Sequence, residues 1–317
     1  SSLLTIAFLL TRRPLSAVFL VELETDAERP FLAISLSIYC ISHKFKSIIK
    51  HLLMIKIFTG WSNSGGSTTA LINLCNLFND NGYECIMYGP HKWHLDRCRG
   101  ANLQTATTTK SDKIIYHFLD VRKTRPDVDK FVLTLHEKAL YPLKEKPVHI
   151  FDKVHFLNKE QINWHGVYKD LSWFICGNAH ESLIPLKQLK QRVAGIIGNI
   201  DENKQVHTSI QRALKDGHKD IRIYGNNNDP KYWDNYVQPL LNKNSNVVKF
   251  IGYENNRQKI YDTLTDVYHS SLSENASFIY DECKLAEVNF HGNENIVNQP
   301  IWLNDAILKL WVKQLEL

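Results

Sequence analysis

From Met54 onward the sequence alternates short apolar runs with longer amphipathic segments, and polar or glycine-containing loops separate them. The first unit runs from an apolar segment, Met54–Gly60, through a loop with Gly65 and Gly66 into an apolar-periodic helix that continues through Phe78. A second apolar segment, Tyr83–Tyr88, follows directly. Strands that alternate with helices in this way predict a parallel sheet covered by helices, and therefore an α/β fold.

The same alternation continues to the C-terminus in two halves. Further strands of the first half are predicted at Ile114–Phe118, Phe131–Leu135, Val154–Leu157 and Trp173–Cys176, with a helix over Asn158–Tyr168. A linker, Asn178–Arg192, separates them from a second half that opens at Val193. That half is predicted to contain helices at Lys204–Leu214 and Arg257–Leu264, and strands at Ile221–Tyr224, Val247–Ile251 and Val267–Ser270.

Two glutamates near the C-terminus carry the strongest functional signal. Glu274 follows the predicted strand Val267–Ser270, and Glu282 lies eight positions later on a predicted helix. Both carboxylates can then face a cleft at the carboxyl ends of the strands, where open α/β sheets bind ligands. An ionised carboxylate only accepts hydrogen bonds, and its two oxygens match a vicinal diol. Glu282 could bind both ribose hydroxyls and Glu274 the hydroxyls of a sugar.

The residues between the two glutamates could bind an anion. Backbone N–H groups at the start of a helix are unpaired, and the helix dipole favours negative charge there. The candidates are Asn275, Ala276, Ser277 and Phe278. From the spacing alone, the alternative is a pair of solvated glutamates at a helix start, where acidic residues are common.

This segment resembles the Glu-x7-Glu signature of the retaining, family-4-like glycosyltransferases, which have the GT-B fold of two Rossmann-like domains facing each other across a cleft. The sequence departs from the signature at Glu287, where a glycine is usual, and in having Asn-Ala-Ser at 275–277 where Gly-Phe-Gly is frequent.

Three further segments are similar to the same family. The Gly65–Gly66 loop resembles the first loop of GT-B enzymes, where paired glycines let the backbone approach the donor phosphate and acceptor. His136, after a buried-looking strand, occupies the place of a histidine that reaches the donor sugar, with Glu137 as a weaker candidate beside it. The segment from Ala194 resembles the start of the second domain, which places Lys204 on a lysine that neutralises the diphosphate.

One phosphate-binding cation of the family pattern is replaced. Asn199 stands where an arginine is usual, and Arg257 in a later loop is the residue that could compensate. The resemblance therefore implies two catalytic residues, His136 and Glu274. It also implies a set of donor-binding residues, which are Gly65, Gly66, Asn199, Lys204, Asn275, Ala276, Ser277, Phe278 and Glu282.

The implied activity is transfer of a sugar from a nucleoside-diphosphate-sugar donor to a hydroxyl of a glycan or a lipid-linked acceptor, with retention of the anomeric configuration. No Asp-x-Asp motif stands in a suitable loop, so we expect no metal ion and no cofactor besides the donor substrate. The implied domains are 54–180 on the acceptor side and 181–300 for the donor, with a C-terminal helix, 301–317, that packs back on the first domain.

Two other functions stay open. A sugar-nucleotide epimerase of similar fold would need further acid/base residues, which the sequence does not identify. A catalytically silent protein that binds a sugar nucleotide or a partner is favoured by Asn199 and by the altered 275–277 loop. A dehydrogenase is disfavoured because the Gly-x-Gly-x-x-Gly fingerprint is missing.

Composition fits these expectations. The net charge of +5 suits an anionic small ligand or membrane surface, and without a dense Lys/Arg stripe it does not indicate nucleic-acid binding. The six cysteines form no CxxC pair, which favours free thiols in a reducing, cytoplasmic compartment. They are Cys40, Cys75, Cys85, Cys98, Cys176 and Cys283. His91, His94 and Cys98 lack an evident fourth ligand for a zinc site.

Residues 1–53 do not match the rest of the chain. Their two apolar runs, Leu3–Leu10 and Phe31–Ile41, are each shorter than the roughly 20 residues of a membrane-spanning helix. We expect Met54 to be the natural start and 1–53 to be non-native or disordered. The alternative is a membrane-associating or partner-binding extension, with His43–Leu53 as its surface-active part and peripheral membrane contact as the result.

Overall fold

The computed structural model describes residues 4–8, 19–23, 54–60, 65–89, 97–102, 107–117, 124–136, 148–166, 172–185, 191–297 and 299–317. The chain divides into two compact units, Ser1–Leu52 and Leu53–Leu317. In the first unit, strands β1 (Leu4–Phe8) and β2 (Phe19–Leu23) form an antiparallel pair with Leu4 opposite Leu23. The predicted surface-active segment, His43–Leu53, lies outside the described residues.

The second unit contains two parallel sheets. The first has seven strands in the order β5-β4-β3-β6-β7-β8-β9. These are β3 (Ile55–Thr59), β4 (Cys85–Tyr88), β5 (Ala101–Asn102), β6 (Lys113–His117), β7 (Lys130–Thr134), β8 (Lys153–Phe156) and β9 (Trp173–Ile175). Its helices are α1 (Gly66–Asp80) and α2 (Lys159–His165), with a short 3-10 turn at Val148–Ile150.

The second sheet has five strands in the order β12-β11-β10-β13-β14. These are β10 (Ala194–Ile197), β11 (Ile221–Tyr224), β12 (Val248–Gly252), β13 (Asp266–Tyr268) and β14 (Asn289–His291). Its helices are α3 (Val206–Lys215), α4 (Pro230–Tyr232), α5 (Gln238–Lys243), α6 (Arg257–Tyr261), α7 (Phe278–Leu285) and α8 (Glu294–Val297). A π-helical turn, Trp233–Val237, joins α4 to α5.

All strand pairs of the two sheets are parallel. Their central strands are buried along almost their whole length, as expected for parallel sheets covered on both faces. The prediction of an α/β fold with two Rossmann-like halves is therefore confirmed.

The last helix, α9 (Asn304–Leu315), belongs to the core of the first sheet. Its buried side chains Ile307, Trp311 and Leu315 join the cluster that contains Ile55 and Leu71. The chain thus forms the first sheet, forms the second, and then returns to complete the core of the first.

Several predicted boundaries differ from the structure by a few residues. The helix predicted from Lys204 begins at Val206, because Gln205 has a left-handed backbone with φ of 48°. The helix predicted over Arg257–Leu264 ends at Tyr261, and the helix predicted over 301–317 spans Asn304–Leu315. Glu287 also has a left-handed backbone, with φ of 56°, which explains why a glycine suits this position.

Candidate functional site

A solvent-open cleft with a cavity volume of about 170 Å³ lies at the carboxyl ends of both sheets. Its walls come from the loop after β3 and from the loops after β10, β11, β12 and β13. Eight of the sequence-predicted site residues line it, namely Gly65, Gly66, Asn199, Lys204, Glu274, Ala276, Ser277 and Phe278. Three others, His136, Asn275 and Glu282, are not among the lining residues.

The glycine loop leaves room for a ligand. Gly65 precedes α1 with an extended backbone, and its carbonyl accepts hydrogen bonds from the backbone N–H and the hydroxyl of Thr69, both at 3.1 Å. Within the described part of the chain, a Cβ atom at position 65 would meet no atom within 4 Å, and one at Gly66 would touch only the ring of Phe278 at 3.9 Å. The described residues therefore leave space beside this backbone.

Glu274 forms the charged centre of the cleft. Its Oε1 accepts a hydrogen bond from Lys204 Nζ and another from His269 Nε2 at 3.0 Å. Burial alone would raise the pKa of Glu274, but the His269 hydrogen bond and the charge of Lys204 lower it to about 2. The carboxylate is thus ionised at neutral pH and can only accept hydrogen bonds.

The backbone before Lys204 holds this lysine in place. Its N–H donates to Asp201 Oδ1 at 2.9 Å, within the loop that leads from β10 to α3. Asn199 lies in the same loop and also lines the cleft, but it carries no charge. Lys204 is therefore the cation that this loop supplies.

The start of α7 faces the cleft with a capped turn. The hydroxyl of Ser277 accepts from the backbone N–H of Tyr280, as a helix N-cap does. The N–H of Ser277 donates to Gln299 Oε1 at 3.3 Å, so one of the N–H groups predicted to bind an anion already has a protein partner.

Asn275 connects the two halves of the chain. Its Nδ2 donates to the carbonyl of His136 at 2.8 Å, and its own carbonyl accepts from the side chains of Asn158 and Gln299. The sequence analysis assigned the N–H of Asn275 to the sugar-nucleotide donor, whereas the structure shows hydrogen bonds of its side chain and carbonyl to other residues of the protein.

His136 is half-buried beside this connection, at the end of β7. Its Nε2 lies 3.2 Å from the hydroxyl of Thr134, and its ring packs edge-on against His117 with 5.3 Å between the centroids. His136 therefore lies next to the Glu274 loop but outside the cleft wall. The neighbouring Glu137 lies outside the described residues.

Glu282 is enclosed rather than exposed to a ligand. Only 4% of this residue is exposed, and its carboxylate accepts from the Tyr261 hydroxyl at 2.8 Å and pairs with Arg257 Nε at 3.4 Å. Arg257 does line the cleft, and the charge of Glu282 raises the pKa of its guanidinium. In this conformation Arg257, held by Glu282, brings the second cation to the cleft.

The sequence analysis did not identify the cleft residues at the carboxyl ends of β11 and β12. Tyr224 ends β11 and Gly225 follows it, Tyr253 and Glu254 follow β12, and all four residues line the wall. The signal was present, because each pair ends a predicted strand of the parallel sheet, and such ends meet at one edge. In the described part of the chain no group of three or more His, Cys, Asp and Glu side chains could hold a metal ion. His91 and His94 lie outside that part.

Cys75, Cys85, Cys98, Cys176 and Cys283 are all buried and free. Among the described helices, none is both long and apolar enough to cross a bilayer.

No model of a known protein family matches the sequence, and no curated protein matches it either. Solved structures do match. Anabaena HepE in complex with UDP-glucose has a TM-score of 0.54 at 12% identity, over 76% of this chain and 80% of that one. Sucrose-phosphate synthase from Thermosynechococcus elongatus has a TM-score of 0.57 at 11% identity, over 83% and 90%.

A third solved structure, AviGT4, is a glycosyltransferase involved in avilamycin A biosynthesis. It has a TM-score of 0.53 at 13% identity and covers 83% of this chain and 88% of its own. Identities this low establish the architecture rather than the reaction. Taken with the two parallel sheets and the cleft between them, these similarities show that the chain has the GT-B fold of these glycosyltransferases.

Proposed function

We propose that this protein is a glycosyltransferase that moves a sugar from a nucleoside-diphosphate-sugar donor to a hydroxyl acceptor. The observation that carries the proposal is the convergence of Lys204, Arg257 and the Gly65–Gly66 loop on one cleft that also holds an ionised Glu274. Cations and bare backbone suit a diphosphate, and an acceptor-only carboxylate suits sugar hydroxyls.

The leaving diphosphate is the main electrostatic problem of such a transfer. Negative charge develops on it as the bond to the sugar breaks, and fixed cations stabilise that charge. Lys204 and Arg257 supply two positive charges, and the N-terminal turn of α7 adds a partial one. We propose that these groups act without a metal ion, which predicts full activity in the presence of a chelator.

Retention of the anomeric configuration belongs to the same proposal. The resemblance of the Glu274–Glu282 segment to the retaining glycosyltransferases supports it. The neighbours contribute a donor class, because HepE was solved with UDP-glucose, and with UDP and glucose. A glycan or lipid-linked hydroxyl remains the proposed acceptor. Product NMR of the anomeric proton tests the stereochemistry.

Binding without turnover is the second candidate. It is favoured by the uncharged Asn199 and by the ion pair that already occupies Lys204. A silent protein would bind a sugar nucleotide and release no nucleoside diphosphate over long incubation. Donor hydrolysis therefore separates the two candidates.

The decisive experiment is a thermal-shift screen against UDP, GDP, ADP, CMP and their sugars. A ligand that binds only the folded state raises the melting temperature by mass action. We expect one nucleotide to stabilise the wild type and to lose that effect in Lys204→Ala. The matched control is Lys309→Ala, which removes an equal charge from an exposed position on α9. No shift with any nucleotide at millimolar concentration would refute the proposed donor site.

A further inference from the structure

Four buried polar side chains form a row across the first sheet. Thr59, His117, Thr134 and His155 are in register on the adjacent strands β3, β6, β7 and β8. Residues in register on neighbouring strands point to the same face of a sheet. None of the four is more than 4% exposed. Burying a polar group costs free energy unless the group is hydrogen-bonded. The hydrogen bonds within this row therefore determine which atoms of its histidines carry protons.

His155 has a defined pattern of protonation. Its Nε2 lies 2.9 Å from the carbonyl oxygen of Cys176, which can only accept, so Nε2 carries the proton. Burial lowers the pKa of His155 to about 4, so the ring is neutral at physiological pH. Its Nδ1 therefore has a lone pair and accepts the hydroxyl proton of Thr134, whose oxygen lies 2.7 Å away.

The hydroxyl of Thr134 then directs the next bond. A hydroxyl has one proton, and Thr134 donates that proton to His155. Toward His136 Nε2, at 3.2 Å, its oxygen can only accept. His136 must consequently carry a proton on Nε2. When the imidazole of His136 is neutral, its lone pair lies on Nδ1.

We propose that Thr134 and His155 are positioning residues that fix His136 as the Nε2–H tautomer, through a directed chain of hydrogen bonds that ends at the Cys176 carbonyl. The bonds run from His136 to Thr134, from Thr134 to His155 and from His155 to Cys176. The aromatic rings of Phe174 and Trp311 pack against His155 at 5.1 and 4.9 Å and keep its ring in place.

The consequence for chemistry lies beside the Glu274 loop of the cleft. The carbonyl of His136 holds Asn275, the residue that follows Glu274. A fixed Nε2–H tautomer makes Nδ1 an acceptor, so a hydroxyl that reaches it donates its proton. A role of Nδ1 in accepting a hydrogen bond from a sugar hydroxyl rests on the proposed function, whereas the tautomer itself does not.

The tautomer can be measured directly. A long-range ¹H–¹⁵N spectrum of histidine-labelled protein at mildly alkaline pH distinguishes Nε2–H from Nδ1–H rings. The signals of His136 are identified by their loss in His136→Gln. We expect a single Nε2–H pattern for His136 and for His155. An Nδ1–H pattern for His136 in the wild type would overturn the proposal.

A set of variants tests the cause. Thr134→Val keeps the shape of the side chain and removes the hydroxyl, so His136 should become a mixture of tautomers, and Thr134→Ser should restore the single form. Thr59→Val is the matched control, because it removes an equally buried hydroxyl from the same row, where it contacts His117. In this control the His117 signals should change and those of His136 should keep the single tautomer. An unchanged His136 pattern in Thr134→Val would contradict the inference.

Donor turnover gives a separate readout. If the protein is a glycosyltransferase, turnover should fall in Thr134→Val and recover in Thr134→Ser. A correct tautomer pattern in a protein without turnover would refute the proposed function and leave this inference intact. An Nδ1–H pattern for His136 in an active protein would overturn this inference and leave the proposed function intact.

Discussion

Lys204 and Glu274 are 70 residues apart in the chain and meet as a hydrogen-bonded ion pair inside the cleft. His269 donates to the same carboxylate oxygen at 3.0 Å. A cation proposed to bind phosphate is therefore already paired with a carboxylate proposed to bind sugar. The ion pair links binding of the diphosphate to binding of the sugar, because a phosphate that approaches Lys204 competes with Glu274.

Glu274→Gln should bind free nucleoside diphosphate more tightly than the wild type does. The substitution removes the anion that competes for Lys204 and that repels the phosphate. We expect Kd for the nucleotide to fall about 3- to 10-fold, which corresponds to roughly 1 kcal/mol. Turnover of the sugar nucleotide should fall. Calorimetry with Glu202→Gln, an exposed carboxylate on the same loop as Lys204, provides the control. Weaker nucleotide binding in Glu274→Gln would contradict the competition.

The stability of the protein should depend on the charge of Glu274. Its pKa in the fold is lowered from 4.5 to about 2, so folding favours the ionised form. That contribution, about 3 kcal/mol, is complete above pH 4.5 and is lost as the pH falls toward 2. Urea unfolding of wild type and Glu274→Gln measures it as a difference in the free energy of unfolding. The difference should shrink with acidification and vanish near pH 2. A difference that is constant with pH would show that the carboxylate charge contributes nothing.

Two cleft glycines should behave in opposite ways when replaced by alanine. A Cβ at Gly225 would lie 1.8 Å from the carbonyl oxygen of Gly198, at a φ of +154°, so Gly225→Ala should lose about 2–4 kcal/mol of stability. Gly65→Ala should keep its stability, since its Cβ would meet none of the described residues within 4 Å, and should weaken nucleotide binding instead. Chemical unfolding and calorimetry on both variants separate the effects. Equal stability of the two variants would refute the distinction.

Asn275→Ala should loosen the contact between the two halves. It removes the 2.8 Å bond to the His136 carbonyl and leaves that oxygen without this donor, which costs about 1 kcal/mol. The bonds to the carbonyl of Asn275 itself remain. Small-angle scattering should show a larger radius of gyration, or chemical unfolding a lower free energy of unfolding. Asn255→Ala, an exposed asparagine on the β12–α6 loop, is the control, and the same result in both would rule out a specific connection.

Glu287→Gly should stabilise the protein. Glu287 is exposed and has a φ of 56°, a conformation that costs a non-glycine residue about 1 kcal/mol or more. Glycine adopts it without that cost, and part of the gain is offset by greater freedom in the unfolded chain. We expect a net gain of about 0.5 kcal/mol, measured as a higher midpoint of urea unfolding. A lower midpoint would show that the glutamate makes a contribution beyond its backbone.

The architecture was predictable because the pattern of apolar residues within each segment indicates whether it forms a strand or a helix. The run at Ile196 is apolar on both faces, which indicates a parallel sheet with covered faces, and the loops after such strands then meet at one edge. Glu274 could be placed at that edge for the same reason, whereas Lys204 was placed by the resemblance of the segment from Ala194 to the start of the family's second domain.

The orientation of individual side chains was not predictable. Glu282 and Arg257 both follow from the sequence as cleft candidates, but their roles depend on a 3.4 Å pair that only tertiary packing creates. The row from Thr59 to His155 depends on the register of four strands, and no local pattern in the sequence encodes register between distant strands.

The return of α9 to the first sheet also sets an order of assembly. Trp311 packs on Phe174 and His155, and the ring of Trp302 fills the space beside Gly177. During synthesis these places stay unfilled until the entire second half has left the ribosome. The first half to be made is therefore completed after the second half, because its core closes only when α9 arrives.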